Sequence, residues 1–403
     1  MKPQKTNRLP VTLTAAGERA LKSGHPWLFD GAIAKMKGDG KAGDLAVIFS
    51  FKKNKFIGVG LYDPDSPIRI RVLHQGSPVQ INTDFFRART QDAKKGRRAL
   101  LATDTNGYRL LHGENDGFPG LVTDVYAGVA VIKVYSPVWF PFLQELIPVI
   151  VGAAEAQTAV LRLSRNVEKP AQAVGYTDGQ VVFGTLDKED VIFREHGLQF
   201  VANVIKGHKT GFFLDHRDNR RRVGELSDGQ EVLDVFSYAG GFSVHALGGG
   251  ATRVISLDIS APALAMARRN VALNFGEEDT RHEVLAEDAF VALERLRAEG
   301  QSFGIVIVDP PSFAKREKEV PGALEAYRRV NRLAIPLVAP GGILLAASCS
   351  ARVPAETFFG EVEKVLRASG RTFTLLARTF HDVDHPIGFP EGAYLKSGYY
   401  RLG

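Results

Sequence analysis

The sequence predicts an α/β protein in three parts. A small β-rich domain covers residues 1–75, a central α+β domain covers 76–194, and a doubly wound parallel sheet covers 195–403. Three observations predict it. From about Glu195, short apolar runs alternate with helix-like segments, as in a doubly wound sheet. Ser237, Asp258, Asp288, Asp309 and Cys349 each follow the end of a strand-like run in that region. Residues 1–75 break into short strands divided by turn residues, and they hold 13 Lys/Arg against 6 Asp/Glu in a chain whose net charge is only +6.

A chain of 403 residues exceeds one ordinary domain. At 44% hydrophobic and 24% charged residues the composition is globular. Met1–Pro10 is polar and lacks the apolar core of a signal peptide. Pro and Gly interrupt the longest apolar runs before they reach bilayer-spanning length. Cys349 is the only cysteine, which excludes an internal disulfide and a Cys-rich zinc site. The expectation is a cytoplasmic protein with no membrane partner. The basic N-terminal part fits either a grip on an anionic polymer or a solvated basic surface.

The elements follow in order. A helix precedes Gly24, and Leu45–Phe49, Phe56–Leu61 and Ile68–Leu73 read as strands. Between helix and strands, Gly24-His25-Pro26-Trp27-Leu28-Phe29 mixes a turn with two large aromatics. Asp84–Leu101 is a basic helix candidate, and a second helix lies near Phe140–Ile150. Leu121–Val125, Val129–Tyr135, Ala159–Leu163 and Val181–Phe183 are the strands of the central part. Its Gly113–Gly120 stretch reads as a tight loop. Phe200–Val204 leads into the C-terminal part. Gly207-His208-Lys209-Thr210 misses a phosphate loop, because His208 stands where glycine should precede the lysine.

The organising stretch is Glu231–Ser260. Val232–Phe236 is a strand, Gly240 and Gly241 make a turn, Phe242–Leu247 is a helix ended by three glycines, and Arg253–Leu257 is a strand finishing at Asp258. Such a unit gathers a nucleoside cofactor, with an acid for the ribose hydroxyls. Further on, a helix starts at Ser260 and Pro262 and runs to Asn274. Val284–Ala286, Phe303–Val308 and Gly341–Ala347 are strands, and Glu356–Ser369 is a helix. In an open parallel sheet the polar residues after the strand ends share one edge, where ligands bind.

Ser237–Ser243 lacks the G-x-G-x-x-G of a nicotinamide site, and Gly241–His245 lacks the second glycine of a hydrolase elbow. The pattern is instead similar to the class I methyltransferases that use S-adenosylmethionine. That similarity implies that Ser237, Tyr238, Ala239, Gly240 and Gly241 lie beneath the methionine part, that Asp258 holds the ribose, and that Asp288 approaches the adenine. Asp288 also has a plain reading as the N-cap of Ala289–Leu296.

Asp309-Pro310-Pro311-Ser312-Phe313 marks the acceptor side. Two prolines fix the turn and remove two donors. Enzymes that methylate base nitrogens carry an aromatic directly after such prolines, whereas here Ser312 intervenes. Cys349 points to another chemistry. Cytosine C5 is a poor nucleophile until a thiolate adds at C6, and the one cysteine stands at the catalytic edge. Asp309 would then hydrogen-bond N3 of the cytosine. A small buried core residue is the plain reading of Cys349.

SYAGGFSVHAL, SLDIS, DPPSFAK, YRRVNRLA, ASCS, GHKTGFFLDHRDNR and the tail Asp384-His385-Pro386 with Phe389–Lys396 resemble the RlmI-like 23S rRNA (cytosine-5)-methyltransferases. Gly24–Phe29, Gly58–Tyr62 and Arg69–Leu73 resemble the RNA-binding PUA domain at the front of that family. The resemblance implies a Rossmann-like class I methyltransferase domain, S-adenosylmethionine as cofactor, and 23S ribosomal RNA or a ribosomal precursor particle as partner. It implies catalytic Cys349 and Asp309, with Asp309 also at the cofactor, and cofactor contacts from Phe213, Asp215 and Arg217. Pairing with a second copy of the chain stays open. Two rival readings stand beside it: methylation of a base amine or ring nitrogen, and a non-catalytic RNA-binding protein that keeps the cofactor pocket. His381 and His385 have metal-like spacing, but Pro386 argues for a loop.

Overall fold

The computed structural model describes residues 6–403; the first five residues of the polar N-terminal stretch lie outside them. The chain forms two compact units. The first holds the described residues up to Arg194 with Val201–Leu214 and Val383–Pro390. The second holds Glu195–Phe200, Asp215–Asp382 and Glu391–Gly403.

The first unit contains two sheets. One comprises β1 (Arg8–Leu13), β2 (Trp27–Phe29), β3 (Ile33–Met36), β4 (Leu45–Phe49), β5 (Phe56–Tyr62) and β6 (Ile68–Gln75), in the order β2-β6-β5-β4-β1-β3. The other comprises β7 (Gly107–His112), β8 (Leu121–Tyr126), β9 (Val129–Val134), β10 (Thr158–Leu163) and β11 (Gln180–Phe183), in the order β11-β10-β9-β8-β7. Leu9, Val11, Leu28 and Ile48 form a core private to the first sheet. Leu45, Val59, Leu61 and Leu73 instead join Phe86, Phe118 and Trp139 in a core shared by the two parts. Ser136 Oγ donates to Asp63 at 3.0 Å across the same join. The stretch Pro137–Ala154 is helical, long and apolar enough by composition to cross a membrane, which the interrupted apolar runs did not lead one to expect. Leu143, Leu146, Ile147 and Ile150 of this stretch are buried in that shared core.

β12 (Asp190–Glu195) and β13 (Leu198–Asn203) form a two-stranded hairpin. The second unit is built on a seven-stranded sheet. Its strands are β14 (Glu231–Val235), β15 (Arg253–Asp258), β16 (His282–Ala286), β17 (Phe303–Val308), β18 (Val338–Ser348), β19 (Phe373–Thr379) and β20 (Lys396–Leu402). The order is β16-β15-β14-β17-β18-β20-β19. The first five are mutually parallel, and β20 runs antiparallel to both neighbours. The parallel strands read as apolar runs because both faces are covered, and Leu233, Val235, Val306, Val308, Leu344 and Ala346 sit in one core with Tyr327 and Phe358.

The fold positions the site through this parallelism. β15 ends on Asp258, β17 ends just before Asp309 and β18 just before Cys349, while Ser237 and Asp288 each lie two residues past their strands. All five therefore stand along the carboxyl edge of one sheet, on both sides of β14, where the strand order reverses.

Candidate active site

The turn after β14 is strained. Phe236 (φ 65°), Tyr238 (φ 48°) and Gly240 (φ 72°) all adopt left-handed backbone, which costs a non-glycine residue about 1–3 kcal/mol and is tolerated chiefly where function requires it. Three contacts hold the turn. Asp258 Oδ2 accepts from the Tyr238 N–H at 3.0 Å, Asn270 Nδ2 donates to the Ala239 carbonyl at 2.9 Å, and the Gly240 N–H donates to the Ser237 carbonyl at 2.8 Å. A Cβ at Gly240 would lie 2.8 Å from Ala267 Cβ, so the backbone there has no room for a side chain.

Asp258 is oriented from both sides, since its other oxygen accepts from the Ser260 N–H at 2.8 Å. The neighbouring Ile259 is 73% exposed, an apolar surface at the edge that the sequence reading did not single out. Asp288 caps the helix Ala289–Ala298, and its Oδ1 accepts from the N–H groups of Phe290 and Val291. Its Oδ2 lies outside those two cap bonds.

Asp309 meets a residue that the sequence reading passed over. His216 Nε2 lies 3.3 Å from Asp309 Oδ1, and the imidazole is buried against Phe242. Burial opposes charge on His216, but the facing Asp309 carboxylate outweighs it and raises the imidazole above its ordinary value. The motif Leu214-Asp215-His216-Arg217 thus places its middle residue at the acceptor turn. Asp215 beside it accepts from the Tyr394 hydroxyl at 2.9 Å. Arg217 is fully buried, 2.8 Å from Asp382 and 3.6 Å from Glu195. Its guanidinium thus sits in a buried ion-pair network. Phe213 falls in the Val201–Leu214 segment of the first unit and is half-buried there.

Cys349 is half-exposed, and its Sγ lies 3.8 Å from the carbonyl of Pro310. The residues on either side are locked. Ser348 Oγ and the Tyr327 hydroxyl are 2.8 Å apart, and Ser350 Oγ donates to the Ala314 carbonyl at 3.0 Å. Cys349 thus stands between two buried serines and is itself only partly buried. The Phe313 ring packs on Tyr327 at 5.0 Å between centroids rather than standing clear of the prolines.

Other motifs resolve into structure. Thr210 of the failed phosphate loop is buried, donating to Asp124 at 2.5 Å. His381 Nε2 accepts from the N–H groups of Tyr394 and Leu395, while His385 pairs with Asp384, which in turn accepts from the Arg109 N–H. The two histidines belong to different units. In the first unit Trp27 is half-buried, donating to Glu114 at 2.8 Å, whereas Phe29 is exposed. Arg69 pairs with Asp30 and Arg71 lies 3.8 Å from Glu114, so the exposed positive charge there includes Lys52, Lys53 and Lys55.

Comparison with known proteins follows the same lines. A model of S-adenosylmethionine-dependent methyltransferases matches residues 109–388, and a PUA-like domain model matches residues 11–75. A ribosomal RNA large subunit methyltransferase of Deinococcus radiodurans is 45% identical over 400 residues, covering 98% of both chains. Ribosomal RNA large subunit methyltransferase I of Aeromonas salmonicida is 34% identical over 389 residues, covering 96% of this chain and 97% of its own.

The chain belongs to the RlmI-like S-adenosylmethionine-dependent methyltransferases.

A solved chain from Streptococcus mutans, assigned as a SAM-dependent methyltransferase, superposes with TM-score 0.81 at 21% identity, covering 97% of this chain and 99% of its own. A further solved chain, assigned as a methyltransferase and complexed with SAH, superposes with TM-score 0.82 at 22% identity, covering 98% of this chain and 100% of its own. At these identities the likeness speaks for the fold. The cofactor of this RlmI-like methyltransferase is S-adenosylmethionine, and the edge has features that suit it. The turn backbone is bare at Gly240, Asp258 offers an oriented carboxylate, and Ser237 Oγ is buried with no hydrogen-bond partner among the described residues.

Proposed function

We propose that this methyltransferase modifies C5 of a cytosine in large-subunit ribosomal RNA through a covalent adduct on Cys349. The position of Cys349 carries the reading: the chain's one thiol is half-exposed at the strand end after β18, its Sγ 3.8 Å from the Asp309-Pro310-Pro311 turn. The names of the Deinococcus and Aeromonas relatives support the substrate.

The thiolate of Cys349 would add to C6 of the flipped base, forming an S–C6 bond and moving electron density to C5. Asp309 would donate a hydrogen bond to N3, where negative charge builds, using the proton it shares with His216 3.3 Å away. Held at the Ser237–Gly241 turn, S-adenosylmethionine would supply the methyl for C5, with S-adenosylhomocysteine as the leaving group. Loss of the C5 proton to solvent water would then restore the C5–C6 double bond as the S–C6 bond breaks and the thiolate leaves. Ser237–Gly241 and Asp258 would hold the cofactor, Asp288 would add a contact through Oδ2, and Asp215 would shape the loop. The nitrogen-methylating alternative needs a stacking aromatic at the prolines, and the packing of Phe313 on Tyr327 disfavours it. The exposed lysines of the PUA-like part would grip the RNA backbone.

Nucleoside analysis of large-subunit rRNA after incubation with the full chain and S-adenosylmethionine tests the reading. 5-Methylcytidine at one site is expected. A methyl on a base nitrogen, or no methylated product on either naked rRNA or precursor particles, would overturn it.

A further inference from the structure

Lys396 begins β20 and pairs in register with Ser348, the residue before Cys349. Its side chain is buried, and Nζ donates to the carbonyls of Ser350, Val353 and Tyr394 at 2.5, 2.7 and 3.1 Å. Three carbonyls match the three N–H donors of an ammonium. A neutral amine has two, and would leave one of these acceptors without its donor. An unneutralised cation this deep is costly unless an anion offsets it. No carboxylate forms an ion pair with Lys396 among the described residues, and Cys349 stands between Ser348, the strand partner of Lys396, and Ser350, whose carbonyl Lys396 holds.

We propose that Lys396 is a positioning residue that holds the turn carrying Cys349 and, as a fixed cation, favours its thiolate. The inference rests on the catalytic role given above to Cys349. It also explains why Lys396 is not the base for the C5 proton: its donors are committed to the backbone, so no lone pair faces the substrate. Other titratable groups face the thiol too. Tyr327 is held neutral by burial with its hydroxyl on Ser348. Asp309, next to the Pro310 whose carbonyl meets the Cys349 Sγ, would oppose the thiolate, and His216 lies 3.3 Å from Asp309. Arg352 lies in the cysteine's own turn but is exposed to solvent, whereas Lys396 is buried and fastened to that turn's carbonyls. Burial lowers its ammonium to about 8, so it is still protonated at neutral pH.

The test measures the rate of Cys349 alkylation by iodoacetamide against pH in the full chain without RNA. In the native protein the midpoint should fall below the ordinary thiol value of about 8.5. Lys396→Met should move the midpoint up and slow alkylation at pH 7 about tenfold, while Lys396→Arg restores most of the loss. Retained S-adenosylmethionine binding would show that the variant is folded. A native midpoint at or above the ordinary value overturns the proposal without any variant. So does an unchanged midpoint in folded Lys396→Met, which leaves Lys396 a purely structural residue. Because no RNA is present, the outcome is separate from the cytosine reading: a lowered midpoint that rises in Lys396→Met, with no 5-methylcytidine formed, would sink that reading and leave this one standing.

Discussion

His216 Nε2 and Asp309 Oδ1 lie 3.3 Å apart, joining the loop before the helix Arg217–Leu226 to the rigid Asp-Pro-Pro turn after β17. The carboxylate is thereby aimed before any base arrives. His216→Gln should leave S-adenosylmethionine affinity nearly unchanged and lower kcat on the order of a hundredfold, as loss of an oriented electrostatic partner does. The pair also has a pH signature. The imidazole is raised above its ordinary value, so its contribution to stability is full below about 6.5 and fades as pH rises through the raised value. Thermal midpoints between neutral and alkaline pH should fall more in the native protein than in His216→Gln; equal slopes would contradict the pairing.

Glu195 anchors the other buried charge cluster of this unit. It accepts two bonds from Arg220 at 2.7 Å each and lies 3.0 Å from His245. Burial alone would raise its pKa, yet Arg220 and His245 outweigh that and hold the carboxyl well below the usual range. Glu195→Ala should destabilise the fold by about 3–5 kcal/mol, since it strands buried cations. The stability from Glu195 is present above its ordinary value near 4.5 and lost progressively as pH falls from there through its lowered value. Chemical denaturation at pH 7 and pH 4 measures both; a change under about 1 kcal/mol at pH 7 would mean the cluster is not coupled.

Gly240→Ala forces a side chain onto left-handed backbone, at about 1–2 kcal/mol, and drives its Cβ to 2.8 Å from Ala267 Cβ. Calorimetric titration with S-adenosylmethionine should show at least a tenfold weaker Kd. Unchanged affinity would place the cofactor away from this turn.

Lys52, Lys53 and Lys55 stand on one exposed turn between β4 and β5. If they contact phosphates, each neutralised one should reduce the slope of log affinity against log salt by about 0.7–0.9. Replacing all three with Gln should flatten the slope and weaken binding to all rRNA fragments alike. An unaltered slope would assign the basic charge to solvation.

The parallel strands were legible in the sequence because both their faces are buried, which leaves unbroken apolar runs such as Phe303–Val308. The polar residues after them were legible because a strand end has a definite position. β19 and β20 were not: Gly398 and the charges at Lys396 and Arg401 interrupt the run, and burial of Tyr399 and Tyr400 depends on insertion between β18 and β19. β2 was hidden likewise, because three residues beside a turn read as isolated aromatics. At the site, His216 and Lys396 escaped notice since each acts through a partner distant in sequence, Asp309 and the turn at Ser350–Val353. Arg217 shows the converse: a motif arginine whose burial with Asp382 only the fold reveals.

The central claim is the covalent role of Cys349. The most direct measurement incubates the full chain with S-adenosylmethionine and large-subunit rRNA carrying 5-fluorocytidine, in which fluorine replaces the C5 proton that must leave. The account predicts a denaturation-resistant protein–RNA complex whose cross-linked peptide contains Cys349, and none with Cys349→Ala. Methyl transfer by Cys349→Ala at the native rate, or a complex joined through any other residue, would contradict it.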